Sequence, residues 1–126
     1  MKKTLVTVIA LGALLWGVPS ASAHAILTNS NPIAKSMVSD LPAKIWLEFD
    51  GNLNDIPHMN LNRIQLSDST GRAIPIIKSY VGGARITAEL GKARPTGKVT
   101  IAWRVVSEDG HPVTGSIYFY VIPKKK

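Results

Sequence analysis

The chain has 126 residues, no cysteine, 15 Lys and Arg against 8 Asp and Glu, and a formal net charge of +7. That length suits one domain, and the missing thiols exclude disulfide staples, Cys-based zinc sites and thiol redox chemistry. Apart from Lys124-Lys125-Lys126 at the end, the cations are scattered, with no aromatic-rich basic patch of the kind that binds nucleic acid. Terminal lysines can attract anionic lipid or nucleic acid, although a solvated tail is their commoner role.

The first predicted element is a leader. Lys2 and Lys3 precede an apolar run from Leu5 to Val18, and Ala21-Ser22-Ala23 is the small-residue pattern that signal peptidase cuts after. The run is short for a membrane span, and no later segment approaches spanning length. The expected organisation is a cleaved signal peptide, residues 1–23, followed by one exported domain, residues 24–126. Cleavage makes His24 the first residue. A free amino-terminal His can close a chelate ring on a metal with its α-amine and its imidazole.

Beyond the leader the hydrophobic pattern has period two. Ile45, Leu47 and Phe49 alternate with Trp46 and Glu48; Ile64 and Leu66 with Arg63, Gln65 and Ser67; Ile86, Ala88 and Leu90 with Thr87 and Glu89. Val99, Ile101, Trp103 and Val105 form the next such run, and Ile117, Phe119 and Val121 the last. This alternation predicts strands with one buried face. Turn signals separate them, among them Asn31-Pro32, Asp68-Ser69-Thr70-Gly71, Gly82-Gly83 and Asp109-Gly110. With a first strand near Ala25 to Thr28 and a short one around Ile74 to Ile77, the count is about seven. The predicted fold is all-β, a Greek-key sandwich of immunoglobulin-like or cupredoxin-like type. Its longest irregular stretch runs from Asp50 to Asn62, a length that often marks a functional loop.

Three His carry the candidate chemistry: His24, His58 and His111. Asp109 and His111 sit two apart after the strand ending at Val106, so their side chains can project to one side. Gly110 between them permits a sharp turn. If the amino terminus runs alongside, His24 adds an amine and an imidazole. Three nitrogens and one carboxylate oxygen make a tetragonal set suited to Cu(II). By itself an Asp-x-His pair is more often an ordinary turn; the amino-terminal His gives it weight.

The segments HAILTNSNP from His24, AKIWLEF from Ala43 and WRVVSEDGHPVTGSIYFYV from Trp103 resemble the CopC-type periplasmic copper-binding proteins over nearly the whole exported chain. The resemblance implies a small Greek-key sandwich that binds one Cu(II) ion through His24, Asp109 and His111, with a part in copper resistance or homeostasis. It also implies a membrane copper transporter or another copper protein as partner. The chain departs from the pattern twice. An acidic residue that assists Cu(II) in some relatives falls at Gly51, and the strand period points the neighbouring Asp50 away, so Asp50 stays outside the predicted site. The Met-rich loop of some relatives is also missing, leaving Met37 and Met59 far apart. Met59 beside His58 is at most a weak soft site for Cu(I).

The reading is therefore an exported, periplasmic Cu(II)-binding protein that sequesters, buffers or delivers copper. It is not expected to be an enzyme, to bind nucleic acid or to span a membrane after cleavage. Two rivals share some features. A copper-brace polysaccharide monooxygenase also begins with a ligating His, but a brace is all nitrogen and Asp109 does not fit it. A metal-free interaction sandwich would leave His24 and His111 apart. Trp46 and Trp103 are expected as core, with shielding of the metal as the alternative. Arg104 is expected either to orient a ligand carboxylate or to be exposed.

Overall fold

The computed structural model describes residues 25–125. Residues 1–24, which include the expected leader and His24, lie outside the described residues, as does Lys126. Nine strands form and, among the described residues, no helix: β1 (Leu27–Asn31), β2 (Met37–Val38), β3 (Lys44–Phe49), β4 (Arg63–Ser67), β5 (Ala73–Ile74), β6 (Ile76–Gly82), β7 (Arg85–Leu90), β8 (Gly97–Val106) and β9 (Pro112–Val121). They pair into a four-stranded sheet, β1-β3-β7-β6, and a five-stranded sheet, β2-β9-β8-β4-β5.

The alternating residues do what their period requires. Ile45, Leu47, Ile86, Val99, Ile101, Val105 and Phe119 are fully buried between the sheets, and their strand neighbours face out. Two two-residue strands, β2 and β5, raise the number above the sequence count. The single strand expected around residues 74–77 is in fact split at Pro75. Ile74 pairs with Leu66 in one sheet, whereas Ile76 pairs with Leu90 in the other. Proline has no N–H to continue a ladder, so the chain changes sheets there.

Trp46 is not core. It lies on the outer face of β3, with the Arg85 guanidinium 3.9 Å above its ring and Arg85 in turn bonded to Glu48. Trp103 does face inward, edge-on to Phe49 at 6.0 Å between ring centres. Its ring lies over Gly115, the cross-strand partner, where a Cβ would come within 2.4 Å of Cζ2.

The sandwich has two distinct ends. At one, β8 passes into β9 through residues 107–111, β6 turns into β7 at Gly83, and the Asp50–Asn62 link crosses between the sheets. Leu53 N donates to Gly83 O and Asn54 N to Val106 O, which joins both sheets to that link. The opposite end gathers the 39–43, 68–72 and 91–96 connections and the carboxy-terminal tail.

Candidate metal centre

The turn after β8 builds itself around one buried hydroxyl. Ser107 is 3% exposed, bridges to Leu53, and donates its Oγ hydrogen to Asp109 Oδ1. Ser107 N donates to His111 O, and Gly110 N donates to Ser107 O. Gly110 has φ of +85°, a conformation open to glycine and strained for residues with a Cβ. Asp109 Oδ1 also accepts the His111 N–H at 3.1 Å, the local bond of an Asx turn. These contacts leave the second oxygen facing the ring. Asp109 Oδ2 and His111 Nδ1 are 2.9 Å apart.

Asp109 is held as an anion. The Ser107 hydroxyl, then the His111 ring and the His111 backbone N–H, push its carboxyl far below the ordinary range, because each bond favours the charged form. Across physiological pH the turn therefore presents a fixed negative oxygen beside an imidazole nitrogen. Both groups are open to solvent, with side chains 28% and 67% exposed.

Two further contacts fix this end. Asn62 Oδ1 accepts Val106 N–H at 2.9 Å while Asn62 Nδ2 donates to Asn54 O at 2.8 Å, so the long link clamps the strand that carries the turn. The start of the described chain arrives at the same end. Ala25 is buried, Ile26 N donates to Asp50 Oδ1 at 2.9 Å, and Asp50 N donates to Ile26 O at 2.9 Å.

Asp109 and His111 are thus together, as their spacing predicts. His24 lies outside the described residues. Asp50 spends an oxygen on the chain start. Arg104 does not orient Asp109; it reaches Leu61 O at 3.4 Å from the outer face, opposite Arg63. His58 takes a positive φ of 66° in the long link, and Met59 beside it is exposed. Among the described residues, no three His, Asp or Glu side chains converge into a metal cluster, so His58 does not join the Asp109–His111 pair. Ser107 and Asn62 escaped the sequence reading, which weighed Asp50 only as a metal ligand and not as the anchor of the chain start. The first had a signal in Ser107-x-Asp109, a spacing that closes tight turns.

The family model described as a CopC domain matches residues 27–122, a span that runs from β1 through the turn to the end of β9. The chain belongs to the CopC family. Copper resistance protein C of Xanthomonas campestris pv. juglandis is 31% identical over 125 residues, covering 94% of this chain and 96% of that protein. The crystal structure of CopC from Methylosinus trichosporium OB3b superposes with a TM-score of 0.69 at 26% identity, covering 82% of this chain and 98% of that one. PcoC, a methionine-rich copper resistance protein from Escherichia coli, superposes with a TM-score of 0.64 at 30% identity, covering 79% and 99%. This chain is not methionine-rich: beyond Met1 it has only Met37 and Met59. The two lie apart, one on an edge strand and one in the long link.

Proposed function

We propose that this chain is an exported protein that carries one Cu(II) ion as cargo, held by the amine and imidazole of His24, by Asp109 and by His111. On this reading it sequesters, buffers or delivers copper in the periplasm. The observation that carries the reading is the 2.9 Å separation of Asp109 Oδ2 and His111 Nδ1. Two donors each about 2.0 Å from a metal and at right angles to one another lie about 2.8 Å apart. The pair therefore has the spacing of neighbouring ligands, and a metal can replace the shared proton after a small rotation of the two side chains.

Further support comes from the chain start. Ala25 is buried at the same end, which favours His24 as the source of the remaining nitrogens. A mixed nitrogen and carboxylate set suits Cu(II), whereas Cu(I) prefers thioethers. The similar proteins include copper resistance proteins by name, which agrees with copper as the cargo. An anionic oxygen stabilises the higher charge, which favours a carrier that releases copper by ligand exchange over a redox catalyst. A membrane copper transporter or another copper protein is the natural recipient.

The test is a Cu(II) titration against a competing chelator, using the chain that starts at His24 and the same chain with one Gly ahead of it. Moving the α-amine away breaks the chelate ring, and affinity should drop by about a hundredfold or more. His58→Ala and Met59→Ala should leave Cu(II) affinity unchanged. Equal binding with and without the extra Gly sinks the proposed ligand set.

A further inference from the structure

Charge is divided between the two ends of the sandwich. Asp50, Asp55, Glu108 and Asp109, with Glu48 bonded to Arg85, lie at the end that holds the Asp109–His111 turn and outnumber the three arginines there, Arg63, Arg85 and Arg104. Lys92, Arg94, Lys98, Lys124 and Lys125 gather at the other. The acids of the basic end are largely engaged: Glu89 pairs with Lys44 at 3.2 Å, and Asp68 Oδ1 is bonded to the backbone and hydroxyl of Thr70 and to Arg72 N. A groove of about 690 Å³ runs between the 39–41 and 93–96 links and the tail, with Arg94, Lys124 and Lys125 on its walls and Asp40 as the one acid.

Beside the groove the outer face of the larger sheet is amphipathic. Register places Met37, Tyr120 and Lys98 in one row across β2, β9 and β8. Lys98 Nζ lies 4.5 Å from the centre of the Tyr118 ring, which packs edge-on to Tyr120 at 5.8 Å. Met37 is 70% exposed and Ile122 is 52% exposed. Lysines flanked by tyrosine and isolated apolar side chains match the layered chemistry of a lipid headgroup region.

We propose that this basic end seats on an anionic lipid bilayer, with Arg94, Lys124 and Lys125 over headgroup phosphates and Met37, Tyr120 and Ile122 at the acyl boundary. The acidic end, with Asp109 and His111, then faces away from the surface and stays open to exchange. The inference stands on charge and exposure and holds whether or not the copper site is as drawn. A bilayer is favoured over a protein partner because lysines act as mobile point charges rather than bidentate forks, and two isolated apolar side chains fall short of an interface core. Nucleic acid gives Met37 and Ile122 nothing to do.

The experiment is flotation of the chain from His24 onward, which retains every described strand, with vesicles of phosphatidylcholine alone or with about one-third phosphatidylglycerol. Binding is expected only to the anionic vesicles and should vanish near 0.5 M salt, where charges are screened within about 4 Å. Replacing Arg94, Lys124 and Lys125 by Ser should weaken it about a hundredfold, roughly fivefold per cation. Met37→Ser with Ile122→Ser, at unchanged charge, should weaken vesicle binding several-fold and leave heparin binding as it was. Unaltered thermal melts identify variants that remain folded. Equal binding to neutral vesicles, full affinity in the triple variant, or no effect of the apolar pair overturns the proposal. So does displacement by millimolar inorganic phosphate, which marks a small-anion pocket, or tighter capture of an oligonucleotide than of the vesicles.

Discussion

Asp109 Oδ2 faces His111 Nδ1 at 2.9 Å, while the other Asp109 oxygen is tied to Ser107 and to the backbone of His111. One carboxylate thus closes the turn with one oxygen and aims a negative charge at the imidazole with the other. Both functions depend on the same two-residue spacing, so the turn cannot form without bringing the pair together.

Removing either member of the pair should loosen Cu(II). His111→Ala deletes a nitrogen donor and should weaken binding by about a hundredfold, whereas Asp109→Asn, which keeps the shape and loses the charge, should cost about tenfold. Asp109→Asn should also make the bound ion easier to reduce, because a neutral oxygen stabilises the 2+ charge less. Chelator competition and a reductive titration check the two effects. An unchanged potential in Asp109→Asn would remove the carboxylate from the metal.

Copper affinity should fall as the pH drops from about 8 to about 5, because imidazole and amine must shed protons before they bind metal. Asp109 contributes nothing to that slope, since its carboxyl is held far below this window by Ser107 and His111. Asp109→Asn should therefore bind copper more weakly and still lose affinity between about pH 8 and about pH 5, because the imidazole and amine must shed protons in the variant as well. Copper titrations at successive pH values check this, and a flat profile in Asp109→Asn would show that the carboxylate sets the slope.

The same bonds predict an acid limb in stability. Folding holds the Asp109 carboxyl well below its ordinary value of 3.8, so the folded state binds fewer protons there than the unfolded state does. Its stabilising contribution is fully present above that value and fades as pH falls further. Ser107→Ala removes the largest cause of the shift and should flatten the acid limb measured by urea unfolding at successive pH values. It should also weaken Cu(II) about tenfold, as loss of an orienting partner does. An acid limb identical to that of the parent would mean that Ser107 does not hold the carboxylate.

Gly115 should tolerate no side chain. An alanine Cβ would meet Trp103 Cζ2 at 2.4 Å and Cε2 at 2.8 Å, and Trp103 is hemmed in by Phe49. Gly115→Ala should cost about 1–3 kcal/mol, the usual penalty for overpacking, and lower the melting temperature by several degrees. Gly51→Ala, where nothing lies within 4 Å of the added carbon, is the control. Equal melting temperatures for the two variants would show that the indole can move aside.

Much of this molecule follows from its sequence. A side-chain period of two is local, so residues 45–49, 86–90 and 99–105 announce their buried faces without reference to any partner. The Asp109-Gly110-His111 turn is equally local, because all its bonds close within five residues. The rest depends on pairings made across tens of residues. The switch of sheets at Pro75, the outward Trp46 beneath Arg85, and Arg104 reaching Leu61 instead of Asp109 each follow from which strand lies next to which. Asp50 illustrates the difference well. The strand period alone turned it away from the site, and only the antiparallel pairing of β1 with β3 shows why it matters: its carboxylate pins Ile26, 24 residues earlier. The separation of charge has the same origin. Lys92, Lys98 and Lys124 are scattered along the chain, and it is strand direction and register, set by long-range burial, that bring them to one end and leave Asp109 at the other.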